Sequence, residues 1–354
     1  MLTFALALTL ALAVGVAAQA QAAPHPFYGI SSQTALERGD YQRMGKADAG
    51  TLRSMLSWAT VDPTKAQGDY SWGDFDGIVA ESARNGITVL PFVFGTPDWV
   101  AKGLDRRSCG SRCELFAPRG KAALAAWGRF VGDAVERYGR GGEFWAENPG
   151  LPKRPIRAWQ VWNEQNSKSF YAPKPSTKGY AKLLDAASRA IRAGDRPADV
   201  VLGGMAELAG SRKAVPGHKY LGKLYRRKGV ERDFDGIAVH PYGPNVGNVE
   251  QQMELFDDET RGDSGASIWV TEVGWGSASG GNPLNAGKRG QAKRLKQAYH
   301  YFERERKRMK IKNVTWFSWQ DSATSICDWC ATSGLFTKGS NPKPAYRAFK
   351  RAAR

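Results

Sequence analysis

Histidine and cysteine are scarce in this sequence, with four of each in 354 residues. No HxH or HExxH pattern occurs, so a metal-dependent hydrolase would lack ligands at usable spacing, and no metal is expected. No glycine-rich phosphate loop follows the first predicted strand, which argues against a dinucleotide-binding sheet. Acidic side chains are outnumbered, 34 against 51 Lys plus Arg, for a formal charge of +17, yet no nucleic-acid motif accompanies that charge. Beyond residue 23 no run is long and apolar enough to span a bilayer. Disorder is excluded by what the sequence does contain: 42% hydrophobic residues, including 12 Trp, 12 Tyr and 15 Phe, over a length that can bury a full core.

Residues 1–23 carry no charged side chain. An apolar run from Leu2 to Val16 is followed by Ala18-Gln19-Ala20 and Ala20-Gln21-Ala22. The run is short for a membrane anchor and ends in small residues, so it reads as a secretory signal peptide with an A-x-A cleavage site, although no Lys or Arg precedes it. The mature chain, 24–354, is therefore expected to be exported or wall-associated. An oxidising compartment favours disulfides over zinc for Cys109-x3-Cys113 and Cys327-x2-Cys330. Four cysteines allow three connectivities; the two local pairs are the expectation.

Eight short apolar runs punctuate the mature chain: Tyr28 to Ser32, Leu52 to Ala59, Thr88 to Gly95, Ala158 to Asn163, Val200 to Met205, Gly236 to Tyr242, Ser267 to Val273 and Asn313 to Trp319. Most are continuous rather than alternating, as expected of parallel strands covered on both faces. Amphipathic segments lie between them. Leu124, Trp127, Val131, Val135 and Tyr138 form one helical stripe, and Tyr180, Leu184, Ala187 and Ile191 another. Ala292, Leu295, Tyr299 and Phe302 form a third, and Gly86, Gly139, Gly194 and Gly229 read as left-handed helix stops. The pattern predicts a single-domain α/β fold, a (β/α)8 TIM barrel, with Thr96 to Arg119 and Gly139 to Arg157 as insertions.

In such a barrel the chemistry sits just past the C-terminal strand ends. Two carboxylates occupy such places: Glu164 after Ala158 to Trp162, and Glu272 after Ile268 to Thr271. Hydrolysis of a glycosidic bond needs one carboxylic acid to protonate the leaving oxygen and one carboxylate to meet the developing oxocarbenium ion, ~5 Å apart when configuration is retained. Carboxylates that close cannot both ionise comfortably, which separates their roles. Either Glu alone would read as a solvated loop residue; the ordered pair at one rim is the stronger signal.

Trp162-Asn163-Glu164 on strand four with Thr271-Glu272-Val273-Gly274 on strand seven resembles the clan A retaining glycoside hydrolases, over nearly all the mature chain. The stretches from Trp58 to Asp76 and Gly86 to Phe92 are similar to family 39 and related wall or exopolysaccharide glycosidases. The resemblance implies Glu164 as general acid/base, Glu272 as nucleophile and Asn163 as a partner of the sugar 2-hydroxyl. It also implies His240 and Tyr242 at the end of strand six, with Tyr242 donating to Glu272, Arg53 beside the nucleophile, and a strand-eight Trp platform, for which Trp319 is favoured over Trp316. The Cys109 to Cys113 loop and the Asp321 to Gly334 segment match no subfamily pattern, so specificity is not carried over.

Aromatic rings at the mouth would stack on sugar faces; Trp99, Trp275, Trp316 and Trp319 are the candidates, whereas Trp127 on a helix stripe reads as core. The segment Lys288 to Lys312 is strongly basic and could hold an exported enzyme on an anionic wall or matrix polymer, or could simply be a solvated outer helix. A carbohydrate substrate, no cofactor, no nucleic acid, no membrane after signal cleavage and a monomeric state are expected. The competing class is a catalytically silent barrel that binds polysaccharide.

Overall fold

The computed structural model describes residues 25–64, 69–101, 110–208, 210–260, 263, 265–325 and 327–354. Met1 to Ala23, read as a signal peptide, and Cys109 lie outside the described residues. Parallel strands β1 (Tyr28–Ser31), β2 (Thr51–Ser57), β3 (Thr88–Phe94), β4 (Ala158–Val161), β5 (Asp199–Leu202), β6 (Met205–Ala206), β7 (Gly236–His240), β8 (Ser267–Val273) and β9 (Ile311–Phe317) form one sheet. Their order is β5-β4-β3-β2-β1-β9-β8-β7-β6, and pairing of Val201 with Gly236 joins β5 to β7 and closes the ring. Nine strands thus make eight staves of a (β/α)8 barrel, because β5 and β6 are two halves of one stave. The predicted run Val200 to Met205 is interrupted at Gly203-Gly204. A side chain at Gly203 would collide with the Gln165 amide, and one at Gly204 with the His240 ring, so the ladder is broken where the backbone must make room for those groups.

Outward side chains of the staves pack beneath amphipathic helices. Helix Thr177–Gly194 begins on Ser176, whose Oγ accepts from the Gly179 amide at 3.0 Å, and buries Tyr180, Leu183, Leu184, Ala187 and Ile191. Its Tyr180 hydroxyl donates to the Val161 carbonyl at 2.9 Å and accepts from the Gly203 amide at 2.8 Å, pinning the ends of β4 and β5 to the outer layer. Helices Gly120–Tyr138 and Gly287–Glu305 bury the other predicted stripes. Gly86 and Gly229 have the expected left-handed φ of 76° and 80°. Gly139 and Gly194 do not: Gly139 has a φ of −71° and a Cβ there would lie 2.6 Å from the Val135 carbonyl, while Gly194 is the last residue of its helix and a Cβ there would lie 2.8 Å from Val135 Cγ1.

Inside the barrel, alternation sets two layers. Leu90, Ala158, Val201, Ala238 and Trp269 form a buried apolar cluster. Two residues further along four of these strands stand Phe92, Gln160, His240 and Thr271, so the next layer toward the C-terminal end is largely polar. That step from an apolar floor to a polar layer marks the base of the site. Among the described residues, no helix is long and apolar enough to cross a membrane.

Candidate active site

Two local departures from regular strand geometry aim the carboxylates. On β8 the register slips against β9, since Val270 pairs with Val314 but Val273 with Trp316, leaving one extra residue in β8. This bulge lets consecutive residues Thr271 and Glu272 both serve the interior, where a regular strand would turn one of them outward. After β4, Trp162 and Glu164 take φ of 74° and 40°, left-handed values unusual for such bulky residues. Trp162 stays in the outer core, 4.6 Å from the Phe94 ring, while Asn163 and Glu164 reach the mouth.

Arg53 is the centre of the site and 1% exposed. Its Nη1 donates to Glu272 Oε1 at 2.7 Å, its Nη2 to Asn163 Oδ1 at 2.7 Å and its Nε to Gln160 Oε1 at 2.8 Å, with the guanidinium 4.2 Å from the Phe92 ring. The Tyr242 hydroxyl donates to the other oxygen, Glu272 Oε2, at 2.6 Å. His240 spans the pair. Its Nδ1 lies 3.0 Å from Glu164 Oε1 and 3.6 Å from Glu272 Oε2, and its Nε2 lies 3.0 Å from Thr271 Oγ1. One oxygen of Glu164 and one of Glu272 approach within 4.8 Å.

These contacts polarise the pair. Burial pushes the Glu272 carboxyl up, but the adjacent His240 and Arg53, with hydrogen bonds from Tyr242 and Arg53, outweigh it and hold the group below the ordinary carboxylate range. Burial and the Glu272 charge push the Tyr242 phenol well above its usual value, so it remains a donor. Glu164, His240 and Glu272 also have the donor types and proximity to hold a metal ion. Arg53 against Glu272 already supplies a fixed positive charge there, and a divalent cation would be repelled by it.

The cavity above the pair measures about 410 Å³. Among the residues anticipated from sequence, Arg53, Asn163, Glu164, Tyr242 and Glu272 line it, with His240 beneath. The anticipated Trp platforms do not. Trp275, Trp316 and Trp319 are fully buried, their indole N–H groups donating to the Gly243 carbonyl, the Ser333 carbonyl and Asp40 Oδ1. Trp99 donates to the Asp62 carbonyl and packs edge-on against Trp58, away from the cavity. None of the four presents a ring face to a ligand there. The aromatic walls are Phe92, Phe94, Phe170, Phe317 and Trp329.

Trp329 sits within the Cys327–Cys330 disulfide loop, one of the two expected local pairs, with Cα atoms 5.2 Å apart. Cys113 is also disulfide-bonded, and its expected partner Cys109 is outside the described residues. The Trp329 ring stands 4.8 Å from Tyr242 and 6.0 Å from Phe317. Gln33 Nε2 donates to the Cys330 carbonyl at 2.7 Å, and buried Lys343 donates to Asp321, Ser277 and the Thr332 carbonyl, so the loop is anchored from two sides. The cysteine spacing was the sequence signal that could have pointed to Trp329.

The profile of the glycosyl hydrolase catalytic core matches residues 163–349, beginning at Asn163 and spanning both carboxylates, and the chain belongs to that family. No curated protein sequence matches the chain. Among solved structures, a family 39 glycoside hydrolase from Bacteroides cellulosilyticus WH2 is 19% identical with a TM-score of 0.64, over 92% of this chain and 63% of that one. A monomeric β-xylosidase from Caulobacter crescentus CB15 gives 16% and 0.64, over 93% and 68%. Xylanase 10B from Thermotoga maritima gives 16% and 0.62, over 92% and 94%. The chain thus spans less than two thirds of the family 39 structure's length. At these identities the likeness is one of fold.

Proposed function

We propose that the protein is an exported glycosidase that cleaves O-glycosidic bonds with retention of configuration. Glu272 attacks the anomeric carbon while Glu164 protonates the leaving oxygen; Glu164 then deprotonates the water that releases the sugar from Glu272. The observation that carries this reading is the approach of the two carboxylates to within 4.8 Å. An inverting enzyme holds its carboxyl groups ~6.5–9.5 Å apart to admit a water between them. The unequal surroundings fit the two roles, since Glu272 is held ionised by Arg53 and Tyr242. Asn163, fixed by Arg53, is placed to meet the 2-hydroxyl, a contact that strengthens in the transition state.

Following the anomeric proton of the first product by NMR, with an aryl β-glycoside as substrate, should show the β-anomer forming before mutarotation. The α-anomer as first product would overturn retention. Tyr242→Phe removes one hydrogen bond to an ionised group, worth about 1.5–3 kcal/mol, so kcat/KM should fall roughly 10- to 100-fold. Loss of that donor also raises the Glu272 pKa, so the acidic limb of the pH–kcat/KM profile should move to higher pH.

The alternative of a silent polysaccharide-binding barrel finds no support in a catalytic pair so fully assembled. In the basic segment Lys288 to Lys312, Arg308, past the helix end, pairs with Glu305, Glu254 and Asp257, and Lys312 on β9 with Asp199, so these two charges are spent within the chain rather than offered to an anionic polymer. Export rests on the apolar leader in residues 1–23 and on the disulfides.

A further inference from the structure

The cavity is divided by chemistry. Its charged lining residues among those described are Arg53, Glu164 and Glu272. Arg53 spends its Nε, Nη1 and Nη2 on Gln160, Glu272 and Asn163 and is 1% exposed, so it offers no cation to a ligand. A substrate carboxylate, sulfate or phosphate would enter as a further anion beside Glu272 without a counter-charge. In a chain of net charge +17, the positive groups lie elsewhere.

The two sides also differ in polarity. Around β1, β9 and the segment after β9 the wall mixes neutral polar groups, Ser31, Ser32, Gln33, Thr324 and Ser325, with the Phe317 and Trp329 rings and the Cys327–Cys330 disulfide. Around β2, β3 and the segments after β4 and β6, on Glu164's side, it is Met55, Phe92, Phe94, Phe170, Ala206 and Leu208. Met55 is 48% exposed and is the exposed large hydrophobic side chain among the described residues. Met55 is not a lone exposed side chain: it continues the apolar wall of Phe92, Phe94, Phe170 and Leu208 out to the mouth, so the apolar surface of the cavity reaches solvent there.

We infer that the substrate is an uncharged sugar carried on an apolar aglycone, an aryl or alkyl glycoside, with the sugar on the serine-lined side and the aglycone along the Met55–Phe92–Phe94–Phe170–Leu208 wall. This rests on the proposed hydrolase reading, because the wall adjoining the proton donor is where the leaving group departs. A second sugar ring can stack its CH face on Phe92, Phe94 or Phe170, but its hydroxyls would find no polar partner on Met55, Ala206 or Leu208, a cost that an alkyl or aryl group does not meet.

The test separates leaving-group chemistry from apolar contact. Wild type is screened on 4-nitrophenyl β-xyloside, β-glucoside, β-galactoside, β-mannoside and β-glucuronide. For the sugar turned over fastest, kcat/KM is then compared on its methyl and n-octyl β-glycosides, whose leaving alcohols have similar basicity. The octyl compound should be cleaved at least 30-fold better, mostly through KM, and the glucuronide should be the poorest of the panel. Leu208→Gln and Met55→Gln should erase most of the octyl advantage while leaving methyl glycoside kinetics within about threefold. Equal kcat/KM for methyl and octyl glycosides, or a preferred glucuronide, with activity still dependent on Glu272, would overturn the inference and leave the hydrolase reading intact. No turnover of any panel member, with n-octyl β-glucoside failing to bind by calorimetry, would overturn both.

Discussion

Glu272→Gln is expected to lower turnover of an activated aryl β-glycoside by on the order of 10⁴-fold or more, with the fold and thermal transition retained. The amide is nearly isosteric: its oxygen can still accept from Arg53 Nη1, and its NH2 then faces the Tyr242 oxygen, which can turn to accept, so the cradle is largely kept, but the amide cannot form the glycosyl ester. Glu164→Ala separates the two roles. A 4-nitrophenolate leaves without much protonic help, so glycosylation should slow far less than hydrolysis of the intermediate. The variant should show a burst of phenolate followed by slow turnover, and azide should restore turnover by supplying a nucleophile that needs no general base. Stopped-flow absorbance checks both. Wild-type turnover in either variant would remove that residue from the mechanism.

Arg53→Met should do two things at once. The guanidinium satisfies Glu272, Asn163 and Gln160 in a place that water scarcely reaches, and breaking a buried pair by removing one partner costs about 3–5 kcal/mol. Urea unfolding should register a loss of that size. The second effect is on proton affinity. The Glu272 pKa is depressed in the folded protein, so its contribution to stability is present above the unfolded-state pKa and lost as pH falls through the folded value. Removing Arg53 raises the folded value, so the acidic limb of the activity profile should shift to higher pH and acid unfolding should begin at higher pH. Unchanged stability would mean that water replaces the guanidinium, and an unmoved limb would mean that His240 and Tyr242 suffice.

The barrel was legible because parallel staves buried on both faces write themselves as continuous apolar runs, and the helix stripes between them agreed. Boundaries were less so. Leu52 to Ala59 ends in a helix, Trp58–Val61, and Val200 to Met205 is split where Gly203 and Gly204 yield to their neighbours. Glu164 and Glu272 were legible from their position after apolar runs, and Arg53, Asn163, His240 and Tyr242 through the resemblance that this pair carries; all six gather within one constellation. The aromatic walls were not. A Trp at a strand end is equally suited to the outer core and to the rim, and Trp275, Trp316 and Trp319 found indole acceptors in the core. Phe317, next to Trp316, faces the opening instead, since neighbours on a strand point to opposite sides. Trp329 belongs to a segment with no strand or helix period to read, and only the disulfide around it betrays a fixed position.

The bulge in β8 has a wider implication for how such a chain can diversify. Glu272 owes its direction to one supernumerary residue inside the ladder, and Glu164 to two unusual backbone torsions immediately after another stave. The proposed reactive geometry is therefore carried by the staves, together with the part of the cavity wall formed by Ser31, Met55, Phe92, Phe94 and Phe317, while Phe170, Leu208 and Trp329 stand on connecting segments, where the wall can be rewritten without disturbing the carboxylate pair.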